Sequence, residues 1–477
     1  MLLCFLTDFL YGLLNSRVHV FVNVRLINLN IDIFYNEVEL SFLDVEMAIS
    51  TFDKMGIFYQ DGIVRVENYN TKYFIIHLDD KIVVSESIHY ILEKYSCVNN
   101  QECQSFYRRF GFILPPYTFY DRILALTPYI GISLKGRHES FKFYFPEKND
   151  NFNQLGFEGI IEEYFDRNKG DKEILVSGGI DSSALLGFLG RKSEIVKAHM
   201  INMKSMPYES GKAQSMCDSL SLPLELHTIS GDLTNLAKVF LKDVKEPISD
   251  QVALPLMKLF SIVTNPNKKI KLVDGQGADS LLCGLPINKI FDIWLKTRKL
   301  RRALNLLSFL PITKDKSTPF KRNIYRVTKS LKCISESDFS KVFIIVLVED
   351  SNVLPGELDD EFRRRIISIY ERLGCWHSTI KYIYMFNILP VREMQKYSFS
   401  EDFNIEILAP FLDRQVISSL FYTSSDNMIV RGKYKYPISI LAESYWPEHF
   451  KSSATSPFQV EYFVKGDSLK ELSINNL

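Results

Sequence analysis

The 477 residues are 46% hydrophobic and 24% charged, which suits two domains that each bury a core and excludes a disordered or fibrous chain. Lys plus Arg number 57 and Asp plus Glu number 57, so no global field draws the chain to nucleic acid or to an anionic membrane. Neither is expected as a partner.

Seven cysteines (Cys4, Cys97, Cys103, Cys217, Cys283, Cys333 and Cys375) lie far apart without CxxC spacing. That pattern suits reduced thiols in a cytoplasmic protein and gives neither a zinc nor a disulfide framework. The histidines, scattered from His19 to His449 without paired spacing, read as core or surface residues and not as ligands.

In chain order, residues 1–14 are apolar, but Asp8 interrupts them and no basic region precedes them, so they read as buried core and not as a signal. No run reaches the roughly 18 unbroken apolar residues of a membrane helix. Short Val, Ile, Phe and Tyr runs at 18–26, 73–77 and 81–84, separated by Asn, Asp and Gly, predict an antiparallel sheet domain over residues 1–148. The polar, Asn-rich stretch 148–154 is the expected boundary. Beyond it, strands at 173–176, 195–201 and 224–229 alternate with helical spacing at 182–189 and 209–220, which predicts a parallel sheet with right-handed crossovers in a second domain, 155–465. The expected class is therefore two-domain α/β. Residues 287–332 are basic, with Lys296, Arg298, Lys299, Arg301 and Arg302 clustered; they suit a solvated helix face or a dock for an acidic partner.

The chemistry is concentrated in Ile174-Leu175-Val176-Ser177-Gly178-Gly179-Ile180-Asp181-Ser182-Ser183, a strand ending in a small-residue turn that opens a helix. Such a turn aims backbone N–H groups and the positive helix end at one point, as a pyrophosphate requires. The two glycines let the backbone approach the oxygens closely. A carboxylate there, Asp181, implies a hard cation such as Mg²⁺ between it and the phosphates. A second turn, Asp274-Gly275-Gln276-Gly277-Ala278-Asp279-Ser280, follows a predicted strand at 269–273 and brings Asp279 to another strand's carboxyl end, where ligands of open α/β sheets gather.

The first turn resembles the SGGxDS pyrophosphate loop of N-type ATP pyrophosphatases, and lacks the Lys of a Walker loop. Together the two turns resemble the synthetase domain of asparagine synthetases, whose second loop runs (S/T)GEG(A/S)DE. Four further stretches agree in order. Tyr107-Arg108-Arg109-Phe110-Gly111-Phe112 with Pro115, Pro116 and Thr118 resembles the close of the family's amidotransferase domain; Glu246-Pro247-Ile248-Ser249-Asp250 with Ala253 and Pro255 resembles EPxxDxxAxP; Glu406 with Pro410-Phe411-Leu412-Asp413 resembles ExRVPFLD, with Leu408 at the Arg position; and Arg431-Gly432-Lys433-Tyr434 with Pro447-Glu448 resembles GKxxLR…LP. The resemblance implies a degenerate N-terminal-nucleophile amidotransferase sandwich followed by an ATP pyrophosphatase domain. It implies ATP and Mg²⁺ as cofactors. It implies that Ser177, Gly178, Gly179, Asp181 and Ser182 hold the pyrophosphate, that Leu175, Met203 and Gly275 contact the adenosine, that Asp181 and Asp279 ligate Mg²⁺, and that Lys433 stands over the reacting carbonyl.

The sequence also departs from the family. Leu2 and Leu3 follow Met1, where glutamine-dependent members carry a catalytic Cys, and Cys4 cannot offer the free α-amino group of such a nucleophile, so no glutaminase activity is expected. Gln276 replaces the Glu of GEG, Ser280 replaces another Glu, and Ser452, Ser453 and Thr455 occupy a region that is basic in the family. Members without that Glu use an amine of the substrate itself, as in β-lactam synthetases and lasso-peptide macrolactam synthetases. The expected function is an AMP-forming carbon–nitrogen ligase that adenylates a carboxylate and joins it to the substrate's own amine, with Gln276 and Lys433 at the chemistry. The favoured reaction is macrolactam formation in a lasso-type precursor peptide, served by a partner protease or leader-binding protein. The alternatives are an ammonia-dependent asparagine synthetase, cyclisation of a small amino acid, and a non-catalytic ATP-binding protein.

Overall fold

The structure, a computed structural model, describes residues 19–21, 30–42, 45–69, 72–78, 81–134, 140–202, 207–229, 231–248, 250, 252–299, 319–446, 448 and 469–477. Cys4, the apolar residues 1–14, Met203, Arg301, Arg302, Pro447, Ser452, Ser453 and Thr455 lie outside the described residues. The chain divides into one unit of Met1–Cys103 with Leu114–Phe145 and a second of Gln104–Ile113 with Pro146–Leu477.

The first unit holds strands β1 (His19–Phe21), β2 (Asn30–Phe42), β3 (Phe58–Gln60), β4 (Ile63–Arg65), β5 (Tyr73–His77), β6 (Lys81–Ser85), β7 (Ile123–Leu126), β8 (Ile130–Ser133) and β9 (Phe141–Phe143). They form a five-stranded sheet, β1-β2-β6-β5-β7, and a four-stranded one, β3-β4-β8-β9. All pairings are antiparallel except β2 with β6 at Asn30 and Lys81. Ile75, Val84 and Leu124 of the first sheet share one core with Val64 and Ile132 of the second and with Ala48 and Phe52 of helix α1 (Val45–Lys54). The antiparallel β-rich N-terminal layout expected from the short apolar runs is present.

The second unit is built on β10 (Lys172–Leu175), β11 (Ile195–Asn202), β12 (Leu224–Thr228), β13 (Ile270–Val273) and β14 (Ile405–Leu408), all parallel, in the order β12-β11-β10-β13-β14. Helix α2 (Ile180–Arg191) follows β10, α3 (Pro207–Ser219) follows β11, and α4 (Ala253–Val263) precedes β13. Parallel strands need crossovers, and these helices cover the apolar faces that such strands expose. On one face Leu256, Leu259 and Phe260 of α4 pack on Leu272 and Ile405. The winding goes outward in one direction from β10 to β12 and in the other from β13 to β14, so the direction reverses between β10 and β13. That reversal leaves a crevice at the strands' carboxyl ends, where both glycine-rich turns begin.

Residues 104–113 join this unit through aromatic packing. Phe106, Phe110 and Phe112 surround Phe362 with ring centroids 5.7 to 5.9 Å from it, and the Tyr107 hydroxyl donates to the Ile248 carbonyl at 2.7 Å. No helix among the described residues is long and apolar enough to cross a membrane. Among the described residues, Cys97, Cys103, Cys217, Cys283, Cys333 and Cys375 form no disulfide.

Because Phe362 is fully buried in this cluster, Phe362→Ala removes a large apolar volume that its neighbours cannot refill. We expect a loss of about 3–5 kcal/mol, read as a lower urea midpoint for the transition that follows the second unit's tryptophan fluorescence.

Candidate functional site

Strand β10 ends at Leu175, and Ser177 to Gly179 turn the chain into α2, with Gly179 as the cap. The turn is closed by its own hydroxyls. Ser177 N–H donates to Ser182 Oγ at 3.1 Å, Gly179 N–H donates to Ser177 Oγ at 3.3 Å, and the first helical bond runs from Ser183 N–H to the Gly179 carbonyl at 3.1 Å. The 12-residue helix thus begins beside Ser177 with its positive end toward the crevice. The second turn leaves β13, and Asp274 N–H donates to the Leu408 carbonyl of β14 at 3.0 Å, which keeps this turn level with the strand ends.

The PFLD stretch supports the second turn from behind. A Cβ on Gly277, whose φ is +95°, would come within 2.6 Å of Leu412 and 3.2 Å of Phe411, so glycine is required for both conformation and space. Leu408, in place of the family's Arg, is buried in β14. Asp413 caps the helix Arg414–Leu420 by accepting from Gln415 N–H and Val416 N–H, and it pairs with Arg167 at 2.9 Å.

One cavity of about 390 Å³ takes in Leu175, Ser177, Asp181, Ser182, Gly275, Gln276 and Asp279 among its lining residues, together with His199, Asp250, Glu393 and Lys396. The turns expected from the sequence to act together therefore meet. Met203 lies outside the described residues. Lys433 does not line the cavity. Reciprocal backbone bonds between Val430 and Lys433 close a tight turn that faces Lys433 outward, where its side chain, 42% exposed, pairs with Glu443.

The lysine in the crevice is Lys435. Its ammonium lies 2.9 and 2.8 Å from the two carboxylate oxygens of Asp181 and 2.9 Å from Asp279. It caps helix α5 (Tyr436–Tyr445), which packs on α2 and is tied to it by Trp446, whose indole N–H donates to the Ser183 carbonyl at 2.8 Å. Gly284 leaves the passage open, since a Cβ there would come within 2.4 Å of both Asp279 and the Lys435 stem. Burial works against the charge on Lys435, but the two carboxylates outweigh it and hold its pKa above the ordinary lysine value. Burial pushes Asp181 up to about 6, with Lys435 opposing and Asp279 adding to the rise.

Deeper in the cavity, the Gln276 amide donates to Glu393 and its carbonyl accepts from Lys396. Lys396 also lies 3.5 Å from Asp274, whose carboxylate accepts from the Tyr397 hydroxyl. Burial raises the pKa of Glu393 first, and the neighbouring Asp250 adds to it. Sequence reasoning gave no role to Lys435, Glu393 or Lys396, and Asp250 entered only as a motif letter. Lys435 was within reach, two residues past Lys433, but only the turn at 430–433 shows which lysine points inward.

The asparagine synthase family model matches residues 173–473, which take in both turns and the parallel sheet except the first residue of β10. The chain belongs to the asparagine synthase family. As a member it is an ATP-dependent, amide-forming ligase. No curated protein sequence matched the chain.

In this family member Asp181 and Asp279 present hard oxygen donors converging on one point, a donor set that fits Mg²⁺. Below about pH 6 the free protein's Asp181 takes up a proton that a divalent cation must displace. Mn²⁺ affinity, followed by its electron paramagnetic resonance signal, should therefore fall about tenfold per pH unit below that value and level off above it. Lys435→Met should lower ATP/pyrophosphate exchange by about 10²-fold or more, on the scale of a lost charge-stabilising donor. Lys433→Met, measured alongside, should leave exchange near the parent rate.

Proposed function

We propose that the chain activates a carboxylate as its adenylate and joins it to an amine of the same substrate, closing a macrolactam in a ribosomally made, lasso-type peptide. The observation that carries this reading is the neutral Gln276, held between Glu393 and Lys396 where ammonia-using members place an anion. A neutral amide cannot attract ammonium, whereas a substrate amine tethered to the acid needs no such attraction.

The residues divide the work as follows. The Ser177–Ser182 turn and the start of α2 hold the pyrophosphate end of ATP, while Leu175 and Gly275 border the nucleoside. Asp181 and Asp279 would hold Mg²⁺, which would supply charge neutralisation on the phosphates. The substrate carboxylate oxygen attacks the α-phosphorus and pyrophosphate leaves. The amine nitrogen then attacks the carbonyl carbon and AMP leaves, with the amine proton passing to a base. Glu393 suits that base: it lines the cavity, burial raises its pKa above the ordinary carboxylate value, and Gln276 fixes its carboxylate. Lys435, held charged by two carboxylates, is the cation that can move to negative charge building on the reacting phosphate or carbonyl.

The test is ATP/pyrophosphate exchange by the purified full chain with aspartate and with a linear precursor-type peptide. Exchange with the peptide alone, abolished by Asp279→Asn, is expected. Exchange with free aspartate would instead assign ammonia-dependent asparagine synthesis, and no exchange with either would favour a non-catalytic nucleotide binder. Glu393→Gln should preserve exchange while slowing release of cyclised product by about 10²-fold or more.

A further inference from the structure

Away from the phosphate turns, the parallel pairing of β11 with β12 sets His199 opposite Glu225 and Ile201 opposite His227. Glu225 and His227 are two apart on one strand and so share a face. Three ligand atoms converge there. His199 Nδ1 is 3.0 Å from His227 Nε2 and 3.5 Å from Glu225 Oε2, and His227 Nε2 is 3.8 Å from the same Glu225 oxygen. A tetrahedral ion with bonds of about 2.0–2.1 Å has ligand–ligand edges of roughly 3.3–3.4 Å, which these three separations bracket.

The surroundings are those of a supported ligand set. His199 Nε2, the nitrogen turned away from the cluster, lies 2.5 Å from Glu173 Oε2 on β10. A carboxylate behind a ligating imidazole fixes its tautomer and raises its basicity. Lys197 lies 2.8 Å from Glu225 Oε1 and so orients the carboxylate whose other oxygen faces the histidines. The three side chains range from buried to open: His199 is 1% exposed, His227 9% and Glu225 46%, on the edge strand of the sheet. An ion can therefore enter from solvent without opening the core. His199 also lines the 390 Å³ cavity, so the cluster borders the wall of the nucleotide crevice.

We propose that His199, Glu225 and His227 form a binding site for a zinc-type divalent transition-metal ion, distinct from the Asp181–Asp279 pair. Two imidazoles and one carboxylate suit Zn²⁺ and its first-row neighbours, whereas Mg²⁺ and Ca²⁺ prefer an all-oxygen set. Three protein ligands leave one position open to water or to an atom of a bound molecule. No spacing in the sequence reveals it, because the histidines are 28 residues apart and meet only through strand pairing.

Co²⁺ alone, added to chelator-treated full-chain protein, tests the site through the visible d–d absorption of four-coordinate cobalt. One equivalent should produce those bands, Zn²⁺ should displace them, and excess Mg²⁺ should not. His227→Ala and Glu225→Ala should abolish them, and Glu173→Gln should weaken Co²⁺ binding by about 10- to 100-fold. Circular dichroism checks that each variant folds; Glu225, exposed on the edge strand, decides the matter should His227→Ala fail to fold. Absence of visible bands in the parent, or bands that persist in the folded Glu225→Ala protein, would overturn the assignment and leave the cluster as a histidine hydrogen bond.

Discussion

The organising constraint is the side-by-side parallel pairing of β10 with β13, Glu173 against Leu272 and Ile174 against Val273. These strands are about a hundred residues apart, and the two strands between them in sequence, β11 and β12, lie to one side. Because the sheet reverses direction here, no crossover helix covers the gap above their carboxyl ends, and the two turns must face one another. The phosphate-type turn at Ser177, the carboxylates of Asp181 and Asp279 and the cavity beneath them all follow from that one adjacency.

Bringing two carboxylates together in a half-buried crevice is costly unless a cation joins them. Lys435 meets that need, and the route it takes explains several distant residues at once. Gly284 leaves room for its stem, Trp446 fastens its helix to α2, and Leu412 seats the turn carrying Asp279 against Gly277. The same lysine thus neutralises both carboxylates from within the crevice. A second network, running through Asp274, Lys396, Gln276 and Glu393, lies on the same cavity and places a buried carboxylate with a raised pKa beside a neutral amide. The crevice therefore separates a part where Lys435 joins two carboxylates from a part where a buried carboxylate meets a neutral amide.

Much of the second unit was legible from local pattern. The strands expected at 173–176, 195–201 and 224–229 occur as Lys172–Leu175, Ile195–Asn202 and Leu224–Thr228, and the helix at 182–189 extends to Ile180–Arg191. Short apolar runs between glycine turns carry such information because neighbouring residues determine it. In the first unit 73–77 and 81–84 were equally clear as strands. The lysine assignment was not local in this sense: Lys433 and Lys435 have the same chemistry and lie on the same short stretch, and a turn closed by backbone bonds between Val430 and Lys433 selects between them.

The sequence by itself determined the strand and helix alternation, the two glycine-rich turns and the chemical types that meet a nucleotide, since each depends on residues close together in the chain. Only the tertiary structure decided which side chains share a space: Lys435 with Asp181 and Asp279, Glu393 with Gln276, and His199 with Glu225 and His227. The physical reason is that these groups interact over a few ångströms while lying, the strand neighbours Glu225 and His227 aside, from about 26 to more than 250 residues apart. Strand order and helix packing, not sequence spacing, bring them within that range.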